Sequence, residues 1–285
     1  MKEYLTLTKP RVVLLLVFTA VIGMCMASGD SFNWLSILLS SIGVGLTASC
    51  GAVINHIYDK EFDNQMQRTE RRPVATGAIS EANALRFSLF LGLLGISILA
   101  IFINALTAFL TFISLVGYAL IYTMFLKYNT PQNIVIGGAS GATPPLLGWV
   151  AITNEISINA IILFLIIFVW TPPHFWALAI AKKEEYRKVN IPMLPITHGV
   201  PFTKLSIIFY TFILWFVCLL PVVTGLSGSL YFFCSNFLCL AFLLLVINLL
   251  VKTTTENALL LFVYSITFLS GIFLALLIDK LVLTI

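Results

Sequence analysis

Apolar residues fall along this chain in nine long runs, near 11–28, 35–55, 84–104, 106–125, 134–152, 157–181, 202–225, 229–251 and 258–279. Each run approaches the ~20 residues that a helix needs to cross a hydrocarbon core about 30 Å thick. Helices satisfy their own backbone hydrogen bonds there, as an open strand cannot. The pattern predicts an all-α polytopic membrane protein, a single domain of nine transmembrane helices in one bundle. Most connections are tight, which favours antiparallel neighbours. Two are long, roughly 56–83 and 182–201, and follow the second and sixth runs. Their separation by four helices predicts two related four-helix halves, each carrying a functional loop.

The charges sort between the two ends. The turns around Gly29-Asp30, Asn104-Ala105, Thr153-Asn154-Glu155 and Ser227-Gly228 hold no Lys or Arg, whereas all but Lys280 of the 16 basic residues fall on the other side. The positive-inside rule then predicts a cytoplasmic N-terminus, cytoplasmic long loops and an external C-terminus. Of the 285 residues 60% are hydrophobic and only 10% charged. Soluble domains carry ~25% charged residues, so a soluble globule is excluded and no length remains for an extramembrane catalytic domain. Any chemistry takes place in lipid or at its edge, and the modest net charge of +4 suggests no nucleic-acid partner. Cys25, Cys50, Cys218, Cys234 and Cys239 lie inside apolar runs without a C-x-x-C pair and read as small buried hydrophobes. The opening MKEYLTLTKPR enters the first run without an A-x-A cleavage site, so no removable signal peptide is expected, and a bacterial inner membrane is the simplest location.

Candidate chemistry begins at the end of the second run. Asn55, Asp59 and Asp63 are spaced i, i+4, i+8 and stack along one helix face. Carboxylates at a membrane helix end are costly unless compensated, and oxygen ligands on successive turns suit Mg²⁺, which also binds phosphate oxygens. Gln65, Arg68, Arg71 and Arg72 follow at once as a basic group able to hold an anion. A metal–diphosphate site is one reading, and a solvated helix end with ordinary ion pairs is the other. The second loop repeats the mixture in Lys182, Lys183, Glu184, Glu185, Tyr186, Arg187 and Lys188, while Tyr118, Tyr122, Lys127 and Asn133 gather near the end of the fourth run. Tyr118 reads as an interfacial belt residue, and Lys127 as a cation within reach of an anion. In the sixth run Pro172-Pro173 predicts a broken helix beside His174, and Pro144-Pro145 after Gly137, Gly138 and Gly141 predicts a second irregular, close-packed helix.

The run Asn55-x3-Asp59-x3-Asp63-x2-Met66-x-Arg68-Thr69-x2-Arg72-Pro73 resembles the first aspartate-rich motif of the protoheme IX farnesyltransferases, a branch of the UbiA-type intramembrane prenyltransferases. Thr8-Lys9-Pro10-Arg11 opens the first run as in that family. Tyr122-Thr123, Leu126-Lys127, Asn133 to Gly138 and Pro144 to Trp149 look like its middle signature, and Trp170 to Leu178 with Ile191 to Pro195 like its second block. The likeness covers roughly residues 5–200, and the last three runs carry no motif. Where the family's second loop often has Asp before the Tyr, this chain has Glu185, which keeps the charge on a longer arm.

The resemblance implies a nine-helix bundle around a central cavity, with both loops capping it. It implies farnesyl transfer from farnesyl diphosphate to a vinyl group of protoheme IX, with water addition, to give heme O and diphosphate. Asn55, Asp59 and Asp63 would bind the Mg²⁺–diphosphate, with Glu185 as a further metal or water ligand. Arg68, Arg72, Lys127 and Lys182 would contact phosphate oxygens. His174 would face the heme, with His56 and His198 as rivals. By the same resemblance the product serves terminal heme-copper oxidases, so handover to an oxidase or a heme-modifying enzyme is expected. Prenyl transfer to an aromatic acceptor keeps the fold and changes the acceptor. A transporter is the reading from another class, and the gathering of polar residues at one surface instead of the midplane argues against it.

Overall fold

The computed structural model describes residues 2–29, 31–66 and 69–283, so Asp30 and Arg68 lie outside the described residues. Among these, nine helices are long and apolar enough to cross a membrane: α1 (Pro10–Ala27), α2 (Trp34–Tyr58), α3 (Glu81–Phe102), α4 (Ala105–Asn129), α5 (Asn133–Thr153), α6 (Ile158–Ala181), α7 (Gly199–Val223), α8 (Ser229–Val251) and α9 (Thr255–Val282). Each coincides with one apolar run. Four begin where a side-chain oxygen takes an otherwise orphaned backbone N–H: Asn33 accepts from Ser36, Ser80 from Asn83, Asn104 from Thr107 and Ser157 from Ala160. The chain is therefore a multi-pass integral membrane protein.

Helix α6 is the most buried span, whereas α4 exposes most of its length, as a lipid-facing helix does. Close crossings depend on residues without side chains. A Cβ on Gly148 of α5 would overlap the Ala20 carbonyl of α1, and one on Gly23 would overlap the Pro145 carbonyl. Small residues at such crossings let dispersion and packing operate where lipid leaves little hydrophobic drive.

The two proline pairs behave differently. Pro144-Pro145 interrupts α5, which runs Asn133–Ala142 and then Pro144–Thr153. Pro144 cannot donate to the Ser140 carbonyl four residues earlier, and that oxygen accepts instead from Ser114 Oγ at 3.0 Å and Thr143 Oγ1 at 2.9 Å. At Pro172-Pro173 the expected break is absent, and α6 continues from Ile158 to Ala181. Trp170, Thr171, Pro172, Pro173 and His174 are all buried there, so surrounding helices hold the backbone in place. Cys234 also departs from expectation, since it is exposed while the other four thiols are buried.

At the end opposite the long loops, the last turn of α9 ties the bundle together. Asp279 accepts from the backbone N–H of Gly228 at 2.5 Å and of Tyr231 at 3.0 Å, capping α8. Lys280 donates to the carbonyls of Cys25 (2.7 Å), Met26 (3.2 Å) and Ser28, closing the C-terminus of α1.

Candidate active site

Helix α2 ends at Tyr58, and Asp59 begins a one-turn helix, Lys60–Asp63. The i to i−4 ladder survives this change of helix: Asp59 N–H donates to Asn55 O at 3.0 Å and Asp63 N–H to Asp59 O at 2.8 Å. Asn55, Asp59 and Asp63 therefore stack as the spacing predicts, and all three are buried, at 5%, 2% and 3% exposure.

Three cations converge on this stack. Arg72 Nη1 donates to both Asp63 carboxylate oxygens at 2.8 Å and lies 3.9 Å from Asp59 Oδ2. Lys127 Nζ donates to Asp59 Oδ2 at 2.5 Å, and Lys9 Nζ donates to Asn55 Oδ1. Tyr128 hydroxyl donates to Asp59 Oδ1 at 2.6 Å, its ring stacked on Phe62 with centroids 4.5 Å apart. Asn55 Nδ2 completes the shell on Asp59 Oδ2 at 2.9 Å. Burial, with Arg72 nearby, pulls the Lys9 ammonium down to about 7, against the opposing pull of Asp59. Burial also pushes the Asp63 carboxyl above its ordinary range, and Arg72 resists that shift.

Lys127 and Tyr128 reach Asp59 from the end of α4, where Gly117–Leu126 is wound as a π-helix. Its i to i−5 bonds include Lys127 N–H to Tyr122 O, and Thr123 Oγ1 donates to Tyr118 O at 2.9 Å. Such wide turns rotate the following residues relative to an α-helix and are frequent at functional sites. Gly137 of α5 leaves the space that the Tyr122 ring fills. Tyr118, expected in an interfacial belt, stacks on Tyr122 at 5.6 Å.

The other candidates divide. Arg71 points into solvent with 93% of its side chain exposed. In the second loop Lys182 pairs with Glu185 at 2.8 Å, and Glu185 Oε2 is buried without a hydrogen-bond partner among the described residues. An open groove of about 650 Å³ is lined by Tyr58, Glu61 and Phe62 near the first loop, Tyr128 at the end of α4, and Val189 and Asn190 of the second loop. His56 is 2% exposed beside Asn55, and neither ring nitrogen has a hydrogen-bond partner among the described residues. His174 lies apart, its Nδ1 2.6 Å from Ser265 Oγ and its ring stacked between Trp170 and Phe262. His198 is exposed at the loop surface, 2.9 Å from Thr197 Oγ1. Sequence reasoning gave no role to Lys9 or Tyr128. Lys9 stood in the quoted opening block, and Tyr128 directly follows Lys127.

The profile of the UbiA prenyltransferase family matches residues 16–277. The chain belongs to the UbiA prenyltransferase family. Proteins called protoheme IX farnesyltransferase are similar over almost the whole length: one from Nitrosococcus oceani is 51% identical, over 98% of this chain and 93% of that relative, and one from Marinobacter nauticus 52%, over 99% and 93%. Among solved structures, a digeranylgeranylglyceryl phosphate synthase superposes with a TM-score of 0.81 at 23% identity, covering 98% of this chain and 97% of that one. A UbiA homolog from Archaeoglobus fulgidus bound to DMAPP and Mg²⁺ superposes with a TM-score of 0.72 at 16% identity, covering 96% and 99%. These likenesses make the nine-helix architecture that of a UbiA prenyltransferase.

The residues present suit a divalent ion. Two buried carboxylates and an amide oxygen on successive turns form a hard oxygen donor set. No group of three His, Cys, Asp or Glu side chains converges among the described residues, so an ion held on this stack would need further ligands from substrate or water.

Proposed function

We propose that this prenyltransferase moves a farnesyl group from farnesyl diphosphate to a vinyl group of protoheme IX, adding water, to give heme O and diphosphate. About 50% identity over nearly the full length to proteins called protoheme IX farnesyltransferase is the observation that carries this reading. The buried Asn55–Asp59–Asp63 stack with cations around it supports the donor half of the reaction.

Asn55, Asp59 and Asp63 would hold Mg²⁺, which when bound neutralises charge developing on the leaving diphosphate. Arg72 and Lys127 stand at this stack and would hold phosphate oxygens, joined by Lys9, which donates to Asn55 Oδ1. Arg68 and Lys182 complete the set read from the motif, and Glu185 would serve as a metal or water ligand. The bond between farnesyl C1 and oxygen breaks, and its electron pair leaves with the diphosphate. The terminal vinyl carbon bonds to C1, water captures the cation left on the inner vinyl carbon, and a proton is released. Apolar side chains around the bound donor chain would limit capture of the allylic cation by water before transfer. His56 stands nearest the donor site of the three histidines, whereas His174 would meet heme only between α6 and α9. The protein would reside in a bacterial cytoplasmic membrane with both loops cytoplasmic, and would pass its product to a heme-modifying enzyme or a heme-copper oxidase.

The test is turnover of the purified protein with farnesyl diphosphate and Mg²⁺, offered protoheme IX and a phenolic acid together. Farnesylated heme alone is the expected product. Prenylation of the phenolic acid with heme untouched would move the acceptor assignment while leaving the donor site intact.

A further inference from the structure

Within the site the protein's own acidic and basic groups are paired with one another. Asp59 takes Lys127, Tyr128 and Asn55 on its two oxygens, and Asp63 takes Arg72 on both of its own. The groups that would hold a metal and those that would hold a diphosphate are thus bonded to each other. Arg72 and Lys127 are paired with the two carboxylates and Lys9 with the neutral amide of Asn55, so with all three cations charged the cluster carries one formal surplus positive. A divalent ion arriving alone would raise that surplus to three in a partly buried site. It would also have to displace Lys127 from Asp59, an ammonium 14% exposed against a carboxylate 3% exposed. A diphosphate arriving alone would draw the cations off and leave two buried carboxylates unpaired, which is costly. Arriving together, the anion takes the cations while the metal takes the carboxylates, and no buried charge is left alone.

We propose that Lys9, Lys127 and Arg72 act as exchangeable counter-ions, paired with the Asn55–Asp59–Asp63 stack in the free protein and transferred to the donor's diphosphate on binding, so that divalent metal and diphosphate bind as an obligatorily coupled pair. This rests on the metal–diphosphate reading of the site given above. Tyr128 becomes a positioning residue. Lys9 holds the amide of Asn55, and Tyr128, fixed by its stack on Phe62, holds one oxygen of Asp59 while Lys127 leaves the other. The exchange needs side-chain motion at Lys127, at the tip of a span, at Lys9, ahead of the first span, and at Arg72, in the loop after the second.

Coupling between two ligands is reciprocal and measurable without turnover. The full chain in nanodiscs is dialysed against Mn²⁺ with and without inorganic pyrophosphate, and protein-bound Mn²⁺ is read by electron paramagnetic resonance after correction for the Mn²⁺–pyrophosphate complex in solution. In the wild type, pyrophosphate should raise Mn²⁺ affinity by about tenfold or more, and Mn²⁺ should raise pyrophosphate affinity by the same factor. Lys127→Met should bind Mn²⁺ alone about tenfold tighter than the wild type and lose most of the coupling, while Lys127→Arg should retain it. Lys9→Met provides a second variant if Lys127→Met fails to fold, and it should shift in the same direction. Were the wild type to take Mn²⁺ equally well with and without pyrophosphate, or the Met variants to weaken pyrophosphate while leaving Mn²⁺ alone unchanged, the exchange would be overturned with the site reading intact. Failure to retain Mn²⁺ even with pyrophosphate would overturn the site reading as well.

Discussion

Arg72→Met removes the one group that meets both oxygens of Asp63. The two contacts are 2.8 Å each, with the Asp63 side chain 5% exposed and that of Arg72 22%. Breaking a buried pair from one side costs about 3–5 kcal/mol, and the partial exposure of Arg72 places this case near the lower end, at about 3 kcal/mol. Asp63→Asn costs less, because a freed Arg72 retains water and Asp59 at 3.9 Å. The double variant should then lose less than the sum of the singles, giving a coupling energy of about 2 kcal/mol. The sign with pH follows from Asp63. Burial raises its pKa in the folded protein and Arg72 opposes the rise, so removing Arg72 raises it further. A carboxyl whose folded pKa lies above its unfolded value stabilises fully at low pH and loses that contribution as pH rises through the folded value. The Arg72→Met penalty should accordingly shrink on going from pH 7.5 towards pH 5. Unfolding in mixed micelles, titrated with a denaturing detergent and followed by circular dichroism, measures all four chains of the cycle. Additive single effects, or a penalty that grows on acidification, would refute the pairing.

Tyr128→Phe deletes the 2.6 Å donor to the buried Asp59 while Lys127 remains, so unfolding should show a loss of about 1.5 kcal/mol, as for a hydrogen bond to a charged group, and steady-state turnover should drop about tenfold. Asp279→Ala strips the acceptor from Gly228 and Tyr231 and should cost about 2 kcal/mol in the same unfolding assay, leaving the activity of the folded fraction unchanged. Because the Lys9 ammonium is lowered to about 7, pyrophosphate affinity at fixed Mg²⁺ should fall between pH 6 and pH 8 more steeply in the wild type than in Lys9→Arg, whose charge persists. Parallel titration curves would remove Lys9 from the anion's shell.

The spans were legible because lipid demands long apolar runs, and each of the nine has its helix. The Asn55–Asp59–Asp63 stack was legible because i, i+4 spacing carries its own geometry, which survives even the change of helix at Asp59. What surrounds the stack was harder to read. Lys9 and Tyr128 are 46 and 69 residues from their partners, a separation that only tertiary packing closes. The π-helix that aims Lys127 and Tyr128 has no sequence period of its own. Pro172-Pro173 misled because a proline pair signals lost hydrogen bonds and says nothing of the packing that holds a buried helix straight. Lys280, read from the sequence only as the basic residue on the opposite side, closes the C-terminus of α1 across 255 residues.

The most direct measurement of the central claim is a single-turnover reaction of the wild type and Asp59→Ala with protoheme IX, farnesyl diphosphate and Mg²⁺ in ¹⁸O-labelled water, read by mass spectrometry of the extracted hemes. Transfer to a vinyl group with water capture predicts a wild-type product heavier by one farnesyl group and one labelled hydroxyl, and no such product from Asp59→Ala. An unlabelled farnesyl adduct would contradict the water step, and equal product from Asp59→Ala would contradict the role of the buried stack.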